Sequence, residues 1–130
     1  MYYYGVAIGG MSIKFGIVDD KGHLINKNTL SVDYRQHSVE DVVELMKGKL
    51  NQLALEAKIS IKEIKGLGFG CPGACDVKNG ILLHANNMGW TDVNMRDLFK
   101  DLGMPVYVYN DANAALVGEK VFGAAKPFKD

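Results

Sequence analysis

The pattern of the first 32 residues constrains the fold more than any other part of this sequence. Residues 6–8 and 13–17 alternate apolar with other side chains on either side of two adjacent glycines. A second turn at 19–22 precedes a third extended run at 23–32, so we predict an antiparallel meander of two hairpins. Because so small a meander is not stable alone in water, later residues must cover it.

The clearest helix follows the meander. Ser38, with Asp41 three residues later, has the pattern of a helix N-terminus. The apolar residues that follow recur at helical spacing; they are Val39, Val42, Val43, Met46, Leu50, Leu53 and Ala57. We therefore predict one amphipathic helix that covers part of the sheet.

Two more strands and two more helices are predicted beyond this helix. The strands are 65–71 and 106–109, with a helix from the cap residue Asn94 to Leu102 between them. Residues 112–122 form the last predicted helix.

The order of these elements predicts an α/β domain. Three strands, a helix, a strand, a helix, a strand and a helix imply a five-stranded mixed sheet flanked by helices. We assign this domain to residues 1–123 and the start of a hinge or linker to residues 124–130.

Composition narrows the classes of function. Fifteen basic and fifteen acidic side chains are dispersed along the chain, which argues against direct contact with nucleic acid. No basic leader precedes an apolar run, and no apolar stretch approaches the length of about 20 residues that spans a bilayer. We expect a cytoplasmic protein without a membrane partner.

Cys71 and Cys75 match neither redox nor zinc-ligand spacing, so we predict two reduced thiols near a buried strand end.

Two glycine-rich turns are candidate sites. Gly9 and Gly10, followed by Met11 and Ser12, let backbone N–H groups approach an anion, so this turn can hold phosphate oxygens. Residues 70–73 end a predicted strand, where open α/β sheets usually bind ligands. Ordinary structural turns explain both segments as well.

Polar side chains cluster at 84–90, in a connection without strong periodicity. Asn86 and Asn87 can donate to and accept from a sugar hydroxyl, and the ring of Trp90 can pack on the apolar face of a pyranose. Alternatively, Trp90 is a core anchor and the asparagines make local turn bonds.

Asn110 and Asp111 lie at the junction between the last predicted strand and the last predicted helix. A carboxylate beside a helix N-terminus stays ionised, so Asp111 could accept a proton from a substrate hydroxyl. Either residue could instead serve only as the helix N-cap.

Together and in this order, these four segments resemble the N-terminal domain of the ROK family, a group of sugar kinases and sugar-responsive regulators. The family pattern is a strand, Asp-x-Gly-Gly-Thr and a second strand, followed by Gly-x-Pro-Gly, Asn-x-Gly-Trp and Asn-Asp-Ala-Asn-Ala-Ala. Residues 70–73, 87–90 and 110–115 match the last three motifs. The resemblance extends over nearly the whole chain.

The resemblance implies an actin-like, ribonuclease-H-like ATPase fold, in which ATP and a sugar meet between two lobes. It makes Asp111 the general base and assigns Asn87, Asn110 and Gly73 to sugar binding. It assigns the phosphate turn to Gly9, Gly10, Met11 and Ser12.

The resemblance also implies ATP and Mg²⁺ for the full-length protein, and it admits a homodimer. Its zinc and adenine sites would lie in a second lobe, so we assign no metal ligand within this chain. Two departures weaken the expectation of Mg²⁺, because Ala7 replaces the family's Asp and Met11 replaces its Thr. Both replacements remove oxygen ligands.

We therefore expect the parent protein to be an ATP-dependent, glucokinase-like hexose kinase. This chain alone should have little or no activity, since half of the nucleotide cleft would be missing. One alternative is a sugar-binding ROK transcriptional regulator, although too few residues precede the first strand for a helix-turn-helix. The second alternative is a degenerate pseudo-kinase that keeps only the sugar pocket.

Overall fold

A computed structural model describes residues 1–71, 73–85 and 88–109. Single-turn 3₁₀ helices lie at Ile61–Glu63 and Lys100–Leu102. The other elements, in chain order, are β1 (Tyr2–Ile8), β2 (Ser12–Asp19), β3 (Leu24–Ser31), α1 (Val39–Glu56), β4 (Ile64–Gly70), β5 (Ala74–Asp76), β6 (Ile81–Ala85), β7 (Trp90–Asn94), α2 (Met95–Leu98) and β8 (Val106–Tyr109).

The larger sheet has five strands in the order β3-β2-β1-β4-β8. The first three strands form the predicted antiparallel meander, whereas β1 pairs in parallel with β4 and β4 pairs in parallel with β8. Each parallel strand returns to the sheet after a segment that contains a helix, as parallel pairing requires. The predicted five-stranded mixed sheet is therefore confirmed.

Helix α1 covers one face of the larger sheet. The Ser38 hydroxyl accepts a hydrogen bond from the Asp41 N–H at 3.1 Å, which caps the helix as predicted. Its apolar face packs over β2 and β3, and the Tyr4 hydroxyl of β1 donates to the Leu50 carbonyl at 2.7 Å. The residues that α1 buries are Val42, Val43, Met46, Leu50, Leu53 and Ala54.

A second sheet lies in the connection for which we predicted no strands and noted no strong periodicity. Strands β5, β6 and β7 pair antiparallel in that order. The β5–β6 turn contains Asn79-Gly80, a strong hairpin signal, and Gly80 has a φ of 73°. Our prediction was wrong because these strands are only three to five residues long, too short to display clear alternation.

The helix predicted from Asn94 to Leu102 is interrupted. Asn94 caps α2 as expected, with its side chain accepting from the Asp97 N–H at 2.9 Å. At Phe99 the backbone leaves the helical region, and the ring packs against Phe69 with centroids 4.9 Å apart. The chain then makes the second 3₁₀ turn, which Gly103 ends with a φ of 81°.

Both described α-helices lie on the same face of the larger sheet. Lys47 of α1 forms an ion pair with Asp101 at 2.9 Å, and its ammonium lies 5.6 Å from the centre of the Phe99 ring. No helix among the described residues is long and apolar enough to cross a bilayer. The predicted helix at 112–122 and the predicted linker at 124–130 lie outside the described residues.

Candidate functional site

The diglycine turn joins β1 to β2. The Gly9 N–H donates to the Ser12 carbonyl at 2.9 Å, and a Cβ at Gly9 would come within 2.9 Å of that same oxygen. Gly9 must therefore remain glycine for the turn to close this tightly. Among the described residues, the N–H groups of Gly10 and Met11 donate to no backbone acceptor. Two adjacent N–H groups without a partner among the described residues can form a backbone anion site.

A cleft of about 1050 Å³ opens beside this turn. Its walls are Gly10–Ser12, Ser31–Arg35 and Met88–Gly89. Ser31 pairs with Ser12 across the sheet, and the Val32 N–H donates to the Met11 carbonyl at 3.2 Å. Sequence reasoning missed the segment Ser31–Arg35. The meander itself could have revealed it, because the end of β3 must lie beside the start of β2.

Tyr34 connects the diglycine turn to the tryptophan segment. Its hydroxyl donates to the Gly9 carbonyl at 2.7 Å. Its ring meets the Trp90 ring edge to face, with centroids 5.7 Å apart and planes at 80°. Burial raises the pKa of Tyr34 to about 12, so the phenol keeps its proton and this hydrogen bond even at alkaline pH values at which an exposed tyrosine ionises. One side chain therefore fixes two walls of the cleft.

Trp90 is a core anchor. Only 3% of the residue is exposed, and it begins β7 opposite Ala85. A ring this deeply buried offers no free face for a pyranose. Of the two interpretations open at the sequence level, the structure supports the core one, while Met88 and Gly89 before it line the cleft.

The turn after β4 begins inside the core. Cys71 is fully buried, and its N–H donates to the Tyr109 carbonyl at 2.9 Å. Gly73 has a φ of 93°, and a Cβ there would overlap the carbonyl oxygen of His84. Gly73 thus has a structural reason to be glycine, which neither supports nor excludes a contact with sugar.

The two cysteines are free thiols, as predicted. The pKa of Cys71 is raised, chiefly because its thiol donates to Cys75 and also because it is buried. The same hydrogen bond lowers the pKa of Cys75. Cys75 is the more accessible of the two and the one that ionises first.

The carboxyl ends of three strands, β1, β4 and β8, lie side by side in the larger sheet. Ala7 of β1 pairs with Gly70 of β4, and Gly70 pairs with Tyr109 of β8. The sequence motifs that follow these strands therefore begin side by side, at the edge where open α/β sheets bind ligands.

Several predicted site residues cannot be placed. Pro72, Asn86, Asn87, Asn110 and Asp111 lie outside the described residues. For the sugar-binding asparagines and the general base, the structure thus describes only the neighbours, such as Tyr109.

The residues around the diglycine turn do not fit a magnesium ion. Position 7 is a buried alanine, and Met11 is 83% exposed and carries a thioether. Magnesium prefers carboxylate, phosphate and water oxygens. Ser12 supplies only a hydroxyl, and Asp33, the one carboxylate among the described residues of the cleft wall, forms an ion pair with Arg35 at 3.3 Å. Within the described ranges no three His, Cys, Asp or Glu side chains converge as a metal site would require.

A match to a family model decides which protein family this chain belongs to. The model of the ROK family matches residues 3–130. The chain belongs to the ROK family. Among curated ROK relatives, a glucokinase from Halalkalibacterium halodurans is 30% identical over 130 residues, covering 99% of this chain and 39% of that protein. A xylose repressor from Bacillus spizizenii is 28% identical over 130 residues, covering 96% of this chain and 32% of the repressor.

A solved ROK structure confirms the fold. The Streptomyces griseus ROK family glucokinase, crystallised with glucose and AMPPNP, superposes with a TM-score of 0.77 and 29% identity, over 95% of this chain and 37% of that one. The chain therefore has the fold of ROK kinases, the actin-like ATPase fold that the resemblance implied. It spans about two fifths of the length of the glucokinase relative.

Proposed function

We propose that this chain is the N-terminal lobe of an ATP-dependent hexose kinase, which transfers the γ-phosphoryl group of ATP to a sugar hydroxyl. The observation that supports this proposal is the diglycine turn on the wall of a large cleft, where two N–H groups have no backbone partner among the described residues. Phosphoryl transfer depends mainly on positioning and charge stabilisation, and such a turn contributes to both. A soluble, cytoplasmic setting with ATP and sugar as partners is part of the proposal.

The residues then take the following roles. Asp111 accepts the proton of the attacking hydroxyl, while Asn87, Asn110 and Gly73 bind the sugar. Their described neighbours in the sequence support these roles, because Tyr109 ends β8 beside Gly70 of β4, and Met88 lines the cleft. The phosphate oxygens are held by Gly9, Gly10, Met11 and Ser12.

Sugar binding is the part of this proposal that the chain itself can test. Trp90 is the only tryptophan, and it packs on Tyr34 at the wall of the cleft, so its fluorescence reports on this region. Titration with glucose should change the emission saturably. Asn87→Ala should weaken the response at least tenfold, since a buried polar contact to a hydroxyl would be lost. An unchanged affinity in that variant would contradict the assignment of Asn87.

The base is tested in the longer protein that this lobe would belong to. Asp111→Asn should lower kcat by two orders of magnitude or more while leaving glucose affinity within a few-fold, because a general base contributes about 10²–10⁴-fold. Coupled ADP release measures kcat, and the fluorescence titration measures affinity. A normal kcat would refute the role of Asp111.

A sugar-responsive regulator is the second candidate function. Ala7 favours it, because a lobe that only senses sugar does not need a metal-holding carboxylate at the phosphate turn. The match to a xylose repressor is consistent with it. Saturable sugar binding without any ATP or polyphosphate binding would favour the regulator, or a pseudo-kinase, over the kinase.

A further inference from the structure

Lys14 lies directly across the sheet from Ala7. The two residues are register partners in the β1–β2 pair, so their side chains leave the sheet on the same face, with Cβ atoms about 4.5–5.5 Å apart. This is the face opposite α1, because the neighbours Ile13 and Phe15 are buried in the core that α1 covers. A cation thus stands beside the position at which a carboxylate is absent.

The side chain of Lys14 is exposed, and none of the ion pairs among the described residues includes it. It follows Ser12, the first residue of β2, by two residues, which is about 7 Å along the strand. The flexible four-carbon stem of lysine can span much of this distance. Its ammonium can therefore approach the N–H groups of Gly10 and Met11, which have no backbone partner among the described residues.

An acid at position 7 would change this arrangement. A carboxylate there would lie within ion-pairing distance of Lys14 and neutralise it. Ala7 instead leaves the ammonium with its full charge, and a lysine ammonium together with backbone N–H groups is a combination that binds phosphate.

We propose that Lys14 is a phosphate-binding residue, which holds the terminal phosphate oxygens of a nucleotide together with the N–H groups of Gly10 and Met11. Its charge supplies at this turn what a carboxylate at position 7 would supply by holding a magnesium ion. This inference rests on the proposed function, since it names a further residue of the same phosphate site. Phosphate binding at this lobe then needs no divalent cation.

The test is calorimetric titration of the chain with inorganic tripolyphosphate in the presence of EDTA, with glucose binding measured by Trp90 fluorescence in parallel. Lys14→Gln should weaken tripolyphosphate binding about tenfold or more, the expected loss of one charge-assisted hydrogen bond. Lys14→Arg should retain most of the affinity, because the charge remains. Glucose binding should be unchanged in both variants.

Lys27→Gln is the matched control. Lys27 is also exposed and on the same face, but it lies on β3 opposite Gly16, farther from the turn. The variant removes the same unit of net charge and should alter tripolyphosphate affinity by less than about twofold. An equal loss in both variants would reduce the effect to general charge and overturn the proposal.

Ala7→Asp is the reciprocal variant. The new carboxylate should pair with Lys14, so binding in EDTA should fall and should recover when magnesium is added. Circular dichroism would confirm that the variant folds. Binding in EDTA that stays at the original level would show that the 7–14 pair does not control the site.

The outcomes separate the two proposals. If the chain binds glucose but Lys14→Gln leaves tripolyphosphate binding unchanged, the role of Lys14 is overturned and the sugar site stands. The same holds if the unaltered chain binds glucose but needs magnesium to bind tripolyphosphate. Failure of the unaltered chain to bind either glucose or tripolyphosphate overturns the proposed function and, with it, this inference.

Discussion

Tyr34 carries an unusual share of the contacts that shape the cleft. Its hydroxyl bonds the Gly9 carbonyl and its ring supports Trp90, so the diglycine turn and the tryptophan segment are held by one residue. No motif in the sequence singles it out, since it lies in the short link between β3 and α1. Its importance follows only from what it touches.

Tyr34→Phe isolates the hydrogen bond, because the ring that supports Trp90 remains. The Gly9 carbonyl would lose its partner, and the free energy of unfolding should fall by about 1 kcal/mol. Urea denaturation followed by Trp90 fluorescence measures this. Tyr107→Phe is the control, because Tyr107 is 45% exposed and the change should alter stability by less than about 0.5 kcal/mol. Equal effects would mean that the bond to Gly9 contributes nothing.

The paired thiols predict selective alkylation. Donation from the Cys71 thiol lowers the pKa of Cys75, so Cys75 becomes the thiolate first as pH rises, while Cys71 keeps its proton. Iodoacetamide should therefore modify Cys75 at a lower pH than Cys71, and peptide mass spectrometry would locate the label. In Cys75→Ser, the buried Cys71 should stay largely unlabelled in the folded chain. Faster labelling of Cys71 than of Cys75 would contradict the direction of this hydrogen bond.

At the scale of elements, the small β5–β7 sheet is fastened to the larger one by an arginine. Arg96 of α2 donates from Nε to the Val106 carbonyl at 3.1 Å and from a terminal nitrogen to the Lys78 carbonyl at 2.8 Å. Its own N–H donates to the Gly80 carbonyl at 3.2 Å. The hairpin turn of the small sheet is thus held against the start of β8.

Gly80→Ala should disrupt this junction. Gly80 has a φ of 73°, and a Cβ would come within 2.8 Å of the Arg96 Cβ. We expect a loss of about 1–3 kcal/mol in the free energy of unfolding. Gly48→Ala is the matched control, because a Cβ there meets nothing within 4 Å and α1 should gain about 0.5–1 kcal/mol. Chemical denaturation of both variants gives the comparison, and a neutral Gly80→Ala would show that the turn can adjust.

At the scale of the whole molecule, the larger sheet gathers three motifs that are far apart in sequence. The ends of β1, β4 and β8 adjoin through the pairs of Ala7 with Gly70 and of Gly70 with Tyr109. The ROK glucokinase relative is about two and a half times as long as the part of it that this chain covers. Under our proposal, sugar binding belongs in part to this lobe, whereas turnover needs a second one.

The 130-residue chain should therefore bind sugar without phosphorylating it. With ATP, magnesium and glucose present, a coupled assay should detect no glucose-dependent ADP release above the background of the chain alone. The reason is that the transferring phosphate would be held from one side only. Brisk glucose-dependent turnover by this chain would show that one lobe suffices.

Local patterns predicted much of this molecule correctly. The alternation around the diglycine, the capped helix at 39–56 and the strands after Ile64 and Pro105 all depend on neighbours within one turn or one hairpin, so they can be read from sequence. The prediction missed the strands of the small sheet because they are too short to show a clear period-two alternation. It missed the break in the helix at Phe99 because this break depends on packing against Phe69, 30 positions away in the chain.

The sequence by itself determined the family, the order of the main strands and the identity of the diglycine turn, because these depend on local spacing and on ordered motifs. Only the tertiary structure decided that Tyr34 supports two walls of the cleft, that Trp90 is buried and that Lys14 faces Ala7. Each of these facts depends on how paired or packed segments meet. Such contacts depend on strand register and on which face a side chain occupies, and neither can be assigned from spacing until the strands are paired.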